Sequence, residues 1–249
     1  MKKPLDRFST QAESYKKYRP TYPSNLYDEI FEHVSFFDTC WDCATGNGQV
    51  ATVLASKFKK VFATDISENQ LVQAQPISNV KYSVQLAEKT NFPDHHFDLI
   101  TVGQAIHWFD FEAFNMEVKR VLKPNGVIAF WGYGLIKVDD PIDAITSVFD
   151  SEIVGPYWDV ERRHIDHAYS TIPFDFEPIE CKDAYFIQEE WDLNRLEGYF
   201  NSWSCVQNFI KKNNQNPVPD LMKRISSYWK EEEIKKVRFP IFLRMGRAE

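Results

Sequence analysis

The sequence predicts a doubly wound α/β domain, with a mostly parallel sheet between helices and a helical cap contributed by its second half. Three observations predict it. Over the first 133 residues, short apolar runs alternate with segments of helical periodicity, the β-α-β-α rhythm of a parallel sheet. A glycine-bearing loop, Ala44-Thr45-Gly46-Asn47-Gly48, falls between the first strand candidate and a helix. After residue 138 the alternation gives way to stretches rich in aromatic and charged residues.

Each element has its own signal. Leu26, Ile30 and Val34 repeat at helical spacing over 24–34, behind Pro23 and Ser24. Residues 39–43 are a strand that runs into the glycine loop, and Val50, Val53, Leu54 and Phe58 mark a helix over 50–58. Strands follow at 61–66, 81–86 and 98–104, with a short helix near 68–75. The 98–104 run is apolar on both faces, as a buried parallel strand should be. Phe111, Phe114, Val118, Val121 and Leu122 form a helix that stops at Lys123-Pro124-Asn125-Gly126, and 127–133 is the next strand. In the second half, 180–188 alternates like a strand, 193–210 and 217–235 read as helices, and 237–246 is a terminal strand. Pro240 suggests an edge position or a bulge in that strand. The expected organisation is one domain over 1–249: a lid or helix over 1–35, a ligand-binding core over 36–133, cap insertions with the sixth strand over 134–236, and the last strand over 237–246.

Composition narrows the function classes. Lys and Arg total 29 against 36 Asp and Glu, a net charge of −7, so the chain is a poor candidate for gripping nucleic acid. No apolar run reaches the roughly 18 to 20 residues needed to span a bilayer. The opening MKKPLDRFSTQ has no apolar stretch of a secretory signal. Four cysteines give no disulfide framework and suit a reducing compartment, so the expected location is cytoplasmic. Oligomeric state is open between monomer and homodimer.

The chemistry starts at Asp42-Cys43-Ala44-Thr45-Gly46-Asn47-Gly48. Glycines let the backbone approach a ligand, and the helix that follows turns free N–H groups toward an anion. Asp65 ends the next strand, where a carboxylate can accept hydrogen bonds from a ribose diol. Two cofactors fit. Gly46 through Ala51 matches G-x-G-x-x-A, a nicotinamide-dinucleotide pattern, which would make the chain an NAD-dependent oxidoreductase. Asp42 with Gly46 and Gly48 instead matches D/E-x-G-x-G-x-G, the loop that holds S-adenosylmethionine, with Ala44 in place of the first glycine. An acid four residues before the first loop glycine has a use in the second pattern and none in the first. Ala87 and Glu88 follow the third strand and Ile66 follows Asp65, places for an adenine between an apolar wall and a polar edge. Leu86 stands where the pattern usually has an acid, so Glu88 either replaces that acid or is solvated.

Further motifs carry a resemblance. Tyr15 through Pro23 reads Y-K-K-Y-R-P-T-Y-P; His107-Trp108-Phe109-Asp110 follows the fourth strand and Trp131-Gly132-Tyr133 ends the fifth; Gly155-Pro156-Tyr157-Trp158 and Ser202-Trp203-Ser204 come later. With these the chain resembles the class I S-adenosylmethionine-dependent methyltransferases of the small-molecule type 11 group, and within it the fungal trans-aconitate methyltransferase-like proteins. The resemblance implies a Rossmann-like sheet of seven strands with an antiparallel last strand, S-adenosylmethionine as cofactor, no metal, and a small carboxylic acid as acceptor, converted to its methyl ester.

Methyl transfer is an in-line displacement that needs donor and acceptor aligned and water excluded. Trp108, Trp131, Tyr133, Trp158 and Trp203 are candidates for an aromatic wall beside a sulfonium and for the acceptor pocket, against core packing as the alternative. His107 is a general base, a hydrogen-bond donor to an acceptor carboxylate, or a residue that orients its loop. As a base it would serve a hydroxyl or carbon acceptor. Gln104 is a candidate contact to the methionine part of the cofactor. Arg19, in the lid segment, suits the carboxylate of the methionine or of the substrate, and Arg162 and Arg163 are further substrate-carboxylate candidates.

Other patterns are weaker. Cys40 and Cys43 form a C-x-x-C inside a strand, with thiols on opposite faces, and read as core. His164 and His167 lack the second cluster that a metal site needs. A non-catalytic cofactor-binding protein is the third reading beside methyltransferase and oxidoreductase.

Overall fold

A computed structural model describes residues 20–248. Eight strands form one sheet: β1 (Thr39–Cys43), β2 (Lys60–Asp65), β3 (Val80–Val84), β4 (Phe97–Gly103), β5 (Leu122–Tyr133), β6 (Glu177–Ile179), β7 (Tyr185–Trp191) and β8 (Lys235–Arg247). The order is β3-β2-β1-β4-β5-β8, with β6 and β7 both paired to the far side of β8. β1 to β5 are parallel, and β8 runs antiparallel to β5, β6 and β7. Two short segments thus share the edge position, beyond β8, of a seven-position sheet. The expected strand over 180–188 is β7, shifted to 185–191.

The helices are α1 (Ser24–Glu32), α2 (Gln49–Leu54), α3 (Glu68–Leu71), α4 (Phe111–Val121), α5 (Asp140–Val148), α6 (Arg163–Asp166), α7 (Leu193–Asn201), α8 (Ser204–Asn213) and α9 (Val218–Ile225). Strand side chains alternate between two cores, one on each face of the sheet. Cys40, Val61, Leu99 and Ala129 pack with α1, α2 and the cap helices α7 to α9. Trp41, Cys43, Phe62, Ile100, Ile128 and Phe130 pack with α4 and the 165–176 segment. The two thiols of the C-x-x-C therefore lie in different cores. Trp41 anchors the second core, and its buried indole N–H donates to Thr64 Oγ1 at 2.8 Å.

Several boundaries differ from the sequence expectation for local reasons. The Lys123–Gly126 stop appears within β5 as a register shift: Phe97 faces Leu122, whereas Leu99 faces Val127, and Asn125 takes φ +61°. The helix expected over 193–210 breaks at Ser202-Trp203, where Ser202 Oγ turns back to the Tyr199 carbonyl and Trp203 is extended. The expected 217–235 helix stops at Ile225. Trp229 folds inward beyond it, fully buried, with its indole N–H donating to the Glu233 carbonyl. Pro240 is at neither an edge nor a bulge. It pairs with Phe186 of β7, and its carbonyl accepts from Gly134, just past the last β5 pair, so its missing N–H falls where β5 leaves the sheet.

The chain winds outward from β1 through β2 to β3, then returns to place β4 on the other side of β1. The carboxyl ends of β1 and β4 thus flank the crevice where such sheets bind ligands. The cap, α5 to α9 with the turns between them, closes over the ends of β4 and β5.

Candidate functional site

The loop after β1 has a left-handed backbone at alternate residues: Ala44 at φ +54°, Gly46 at +58° and Gly48 at +84°. Gly48 has no room for a side chain, since a Cβ there would stand 2.7 Å from Tyr82 Oη. The Thr45 amide donates to the Thr64 carbonyl at 2.9 Å, which ties the loop to β2.

Two carboxylates hold the loop from opposite sides. Asp42 is only 1% exposed, and it accepts from the Thr45 hydroxyl at 2.5 Å and the Thr101 hydroxyl at 2.9 Å. Burial pushes its carboxyl up to about 7, against the pull of those hydroxyls and of the Ala51 amide. Asp42 therefore acts within the fold, on the loop, rather than at its surface. Asp65, half-buried at the tip of β2, accepts from the amides of Gly46 and Ser67, both at 2.9 Å.

Beside Asp65 lies a shallow apolar hollow. Ile66, Val84 and Leu86 are 39%, 55% and 39% exposed, unusual for three large apolar residues clustered at strand ends, and Gln85, Lys89, Thr90 and Asn91 complete the rim. Leu86, read in the sequence as a departure from pattern, is thus part of the wall. Ala87 is buried beneath it. Glu88 does not replace the missing acid freely: its Oε1 accepts from the Asp110 amide at 3.0 Å and so steadies the loop leading into α4. The open glycine backbone, a carboxylate at the tip of β2 and an apolar wall next to it fit an S-adenosylmethionine molecule, from its methionine end to its adenine.

A second, more enclosed cavity opens between the ends of β4 and β5 and the cap. Its lining includes Gln104, His107, Trp108, Tyr133, Trp158 and Arg162. Asp159, Tyr199 and Trp203 complete its cap side. Gln104 takes φ +55°, and its side-chain oxygen accepts from the Tyr133 amide at 2.8 Å, joining the ends of the two strands. The Arg162 guanidinium stacks over the Trp158 ring at 4.8 Å, and Trp158 in turn donates to Asp150 Oδ1 at 3.0 Å. Arg162 Nη1 lies 3.1 Å from Asp166 Oδ1, close enough to pair but not aligned as a hydrogen bond. Trp158 also packs on Trp203, with centroids 5.4 Å apart.

His107 is 5% exposed on this cavity, and its Nδ1 lies 2.9 Å from Tyr169 Oη. Burial, then the nearby Arg162 and His164, lower its pKa to about 3. The ring is therefore uncharged at neutral pH.

Other sequence candidates fall elsewhere. Trp131 does not line the cavity; it is wholly buried, edge-on to Tyr22 and Tyr27, because it points to the α1 side of β5. Arg163 is exposed outside the cavity, since it starts α6 on the face opposite the buried His164 and Ile165. Arg19 lies outside the described residues. His164 bonds Thr171 Oγ1 at 2.7 Å and His167 is exposed, so the pair does not converge. Sequence reasoning missed Thr101, Tyr169 and Tyr199. Tyr199 lies three residues after Leu196 in a segment of helical periodicity, the signal that could have found it; Tyr169 lies in a segment with no periodicity at all.

Comparison with known proteins agrees with this geometry. A family model described as a methyltransferase domain matches residues 41–130, from β1 into β5. A "putative methyltransferase" of Dictyostelium discoideum is 34% identical over 98% of this chain and 95% of its own length. Methyltransferase cfoB of Aspergillus candidus is 26% identical over 97% of this chain and 80% of its own. The solved structure of a "putative type II methyltransferase" from Anaeromyxobacter dehalogenans is 33% identical, with a TM-score of 0.86 over 92% of this chain and 98% of that one.

Sheet order and loop chemistry together define a class I methyltransferase. The chain belongs to the S-adenosylmethionine-dependent methyltransferase family, as an enzyme, and S-adenosylmethionine is its cofactor. The nicotinamide and non-catalytic readings fall with that assignment. Among the described residues, no helix is long and apolar enough to cross a membrane.

Proposed function

We propose that the enzyme methylates a carboxylate on a small acceptor held in the cavity beneath the cap, releasing a methyl ester. The observation that carries this reading is the pairing of a cation, Arg162, with an uncharged imidazole, His107, on a lining that holds five aromatic rings and, on its cap side, one carboxylate, Asp159. Bound S-adenosylmethionine supplies a methyl carbon on a sulfonium, and its displacement by a carboxylate oxygen yields a neutral ester and a thioether with no proton to move. The residues then have only to bind and align. Arg162 offers a planar donor fork to a carboxylate. Trp108, Tyr133, Trp158 and Trp203 exclude water around it and offer ring faces to positive charge. On the cofactor side, Asp65 accepts from the ribose, Ile66 and Leu86 with Val84 wall the adenine, and the Ala44–Gly48 backbone and Gln104 hold the methionine end.

A hydroxyl or carbon acceptor would need a base, and His107 as a base is poorly matched to neutral pH with its proton affinity so reduced. The test is a screen of small carboxylic acids with methyl-labelled S-adenosylmethionine, with products identified by mass. Methyl esters, with the acceptor KM raised at least tenfold in Arg162→Met, support the reading. Exclusive methylation of alcohols, thiols or carbon would overturn it.

A further inference from the structure

His107 is held in its cavity by a residue 62 positions along the chain. Tyr169 is wholly buried, its hydroxyl 2.9 Å from His107 Nδ1 and its ring stacked on the imidazole at 5.8 Å and 29°. The backbone that delivers it is unusual. Ala168 and Tyr169 are consecutive left-handed residues, at φ +48° and +58°, a region that side chains disfavour. The surroundings hold it there. The Tyr169 amide donates to the His164 carbonyl at 2.7 Å, and its carbonyl accepts from Arg244 Nη1 at 2.6 Å. Arg244 itself lies over the rings of Phe130 and Phe174, and Phe242 packs edge-on to Tyr169 at 4.9 Å. A disfavoured backbone fixed this firmly, with its side chain ending on a cavity histidine, points to a role in the site.

The direction of the hydrogen bond follows from acidity. A phenol is a stronger acid than a neutral imidazole N–H, and an imidazole nitrogen is a stronger base than a phenol oxygen, so Oη–H donates and Nδ1 accepts. The imidazole proton must then sit on Nε2. Among the described residues, Nε2 has no hydrogen-bond partner, and the ring lines the cavity.

We propose that Tyr169 is a positioning residue: by donating to His107 Nδ1 it fixes the tautomer that presents an uncharged Nε2–H donor to the acceptor. The proposal rests on reading this cavity as the acceptor site. Beside Arg162, such a donor selects groups that only accept hydrogen bonds, as a carboxylate does. It offers no lone pair to an alcohol that must shed its proton, because Nδ1 is engaged and Nε2 is protonated.

The test is long-range proton–nitrogen correlation NMR of the imidazole rings in the ¹⁵N-labelled full chain. Six histidines are present, and His107→Gln assigns the signal. The wild type should show His107 protonated at Nε2, and Tyr169→Phe should redistribute it between both tautomers. Protonation at Nδ1 in the wild type overturns the proposal, as does an unchanged tautomer in Tyr169→Phe. Should that variant fail to fold, fluorotyrosine incorporation, which acidifies the phenol while keeping its shape, must shift the His107 nitrogen signals; unmoved signals overturn the assignment. These readouts need no acceptor. A confirmed tautomer with no carboxylic acid methylated would sink the acceptor reading and leave the Tyr169 assignment standing.

Discussion

Asp65 Oδ2 accepts the Gly46 amide at 2.9 Å, so the tip of the second strand braces the loop that follows the first. One carboxylate thereby shapes the loop, and in the proposed cofactor site it would also accept from the ribose. Asp65→Ala removes both functions. Calorimetric titration with S-adenosylhomocysteine should show a dissociation constant raised at least tenfold, and unchanged affinity would refute the ribose assignment.

Gly48 is where a single methyl group should do most harm. It combines φ +84° with a contact of 2.7 Å from its would-be Cβ to Tyr82 Oη, and another of 3.2 Å to Ala74 Cβ. Gly48→Ala is expected to lower the Tm by several degrees, roughly 1–3 kcal/mol of overpacking and strain, and to weaken cofactor binding. Adding Tyr82→Phe removes the offending oxygen and should recover part of the loss in thermal melts.

Ala44 presents the reverse case. At φ +54° it holds a conformation that glycine adopts freely. Relief of about 1–2 kcal/mol is partly offset by about 0.4–1 kcal/mol of extra freedom in the unfolded chain. Ala44→Gly should therefore leave stability unchanged or slightly raised in urea titrations. Clear destabilisation would mean that the alanine methyl makes a packing contact that outweighs the strain.

Two buried groups should pull the pH dependence of stability in opposite directions. Asp42 is raised in the fold from 3.8 to about 7, so its stabilising contribution is full below about pH 4 and is lost as pH rises through 7. His107, facing Arg162 and His164, is lowered from 6.5 to about 3, so its contribution is full above 6.5 and is lost as pH falls toward 3. Urea titrations across this range should show Asp42→Asn gaining on the wild type toward pH 7, and His107→Gln gaining toward acid. Parallel curves for wild type and both variants would contradict these burial effects.

Much of the cofactor half was legible in the sequence because local patterns specify it. Strands β1, β2 and β4 are buried on both faces and each carries a short apolar run, and the residues of the loop and of β2's tip lie within 24 positions of each other. The cavity beneath the cap was legible only in part. Trp108, Trp158 and Arg162, singled out in or just after short motifs, do line the cavity beneath the cap, yet Trp131, in a motif of the same kind, faces the core because strand alternation turns it to the α1 side. Tyr169 could not be found, since its role depends on a left-handed turn and on Arg244, 75 positions away. The exposure of Leu86 beside Ile66 and Val84 was not legible, because it depends on how the ends of β2 and β3 lie side by side.

The place of β8 has a consequence for how the protein is made. It follows every other strand in sequence, yet lies between β5 on one side and β6 and β7 on the other. Until it emerges from the ribosome, the outer edge of β5 has no partner, and the two strands preceding it cannot join the sheet at all. The nascent chain therefore passes through a stage with an apolar β5 edge open to neighbouring chains, the period in which chaperone engagement matters most. Ribosome-bound chains stalled before Lys235 should be far more prone to aggregation and proteolysis than chains released with β8 in place.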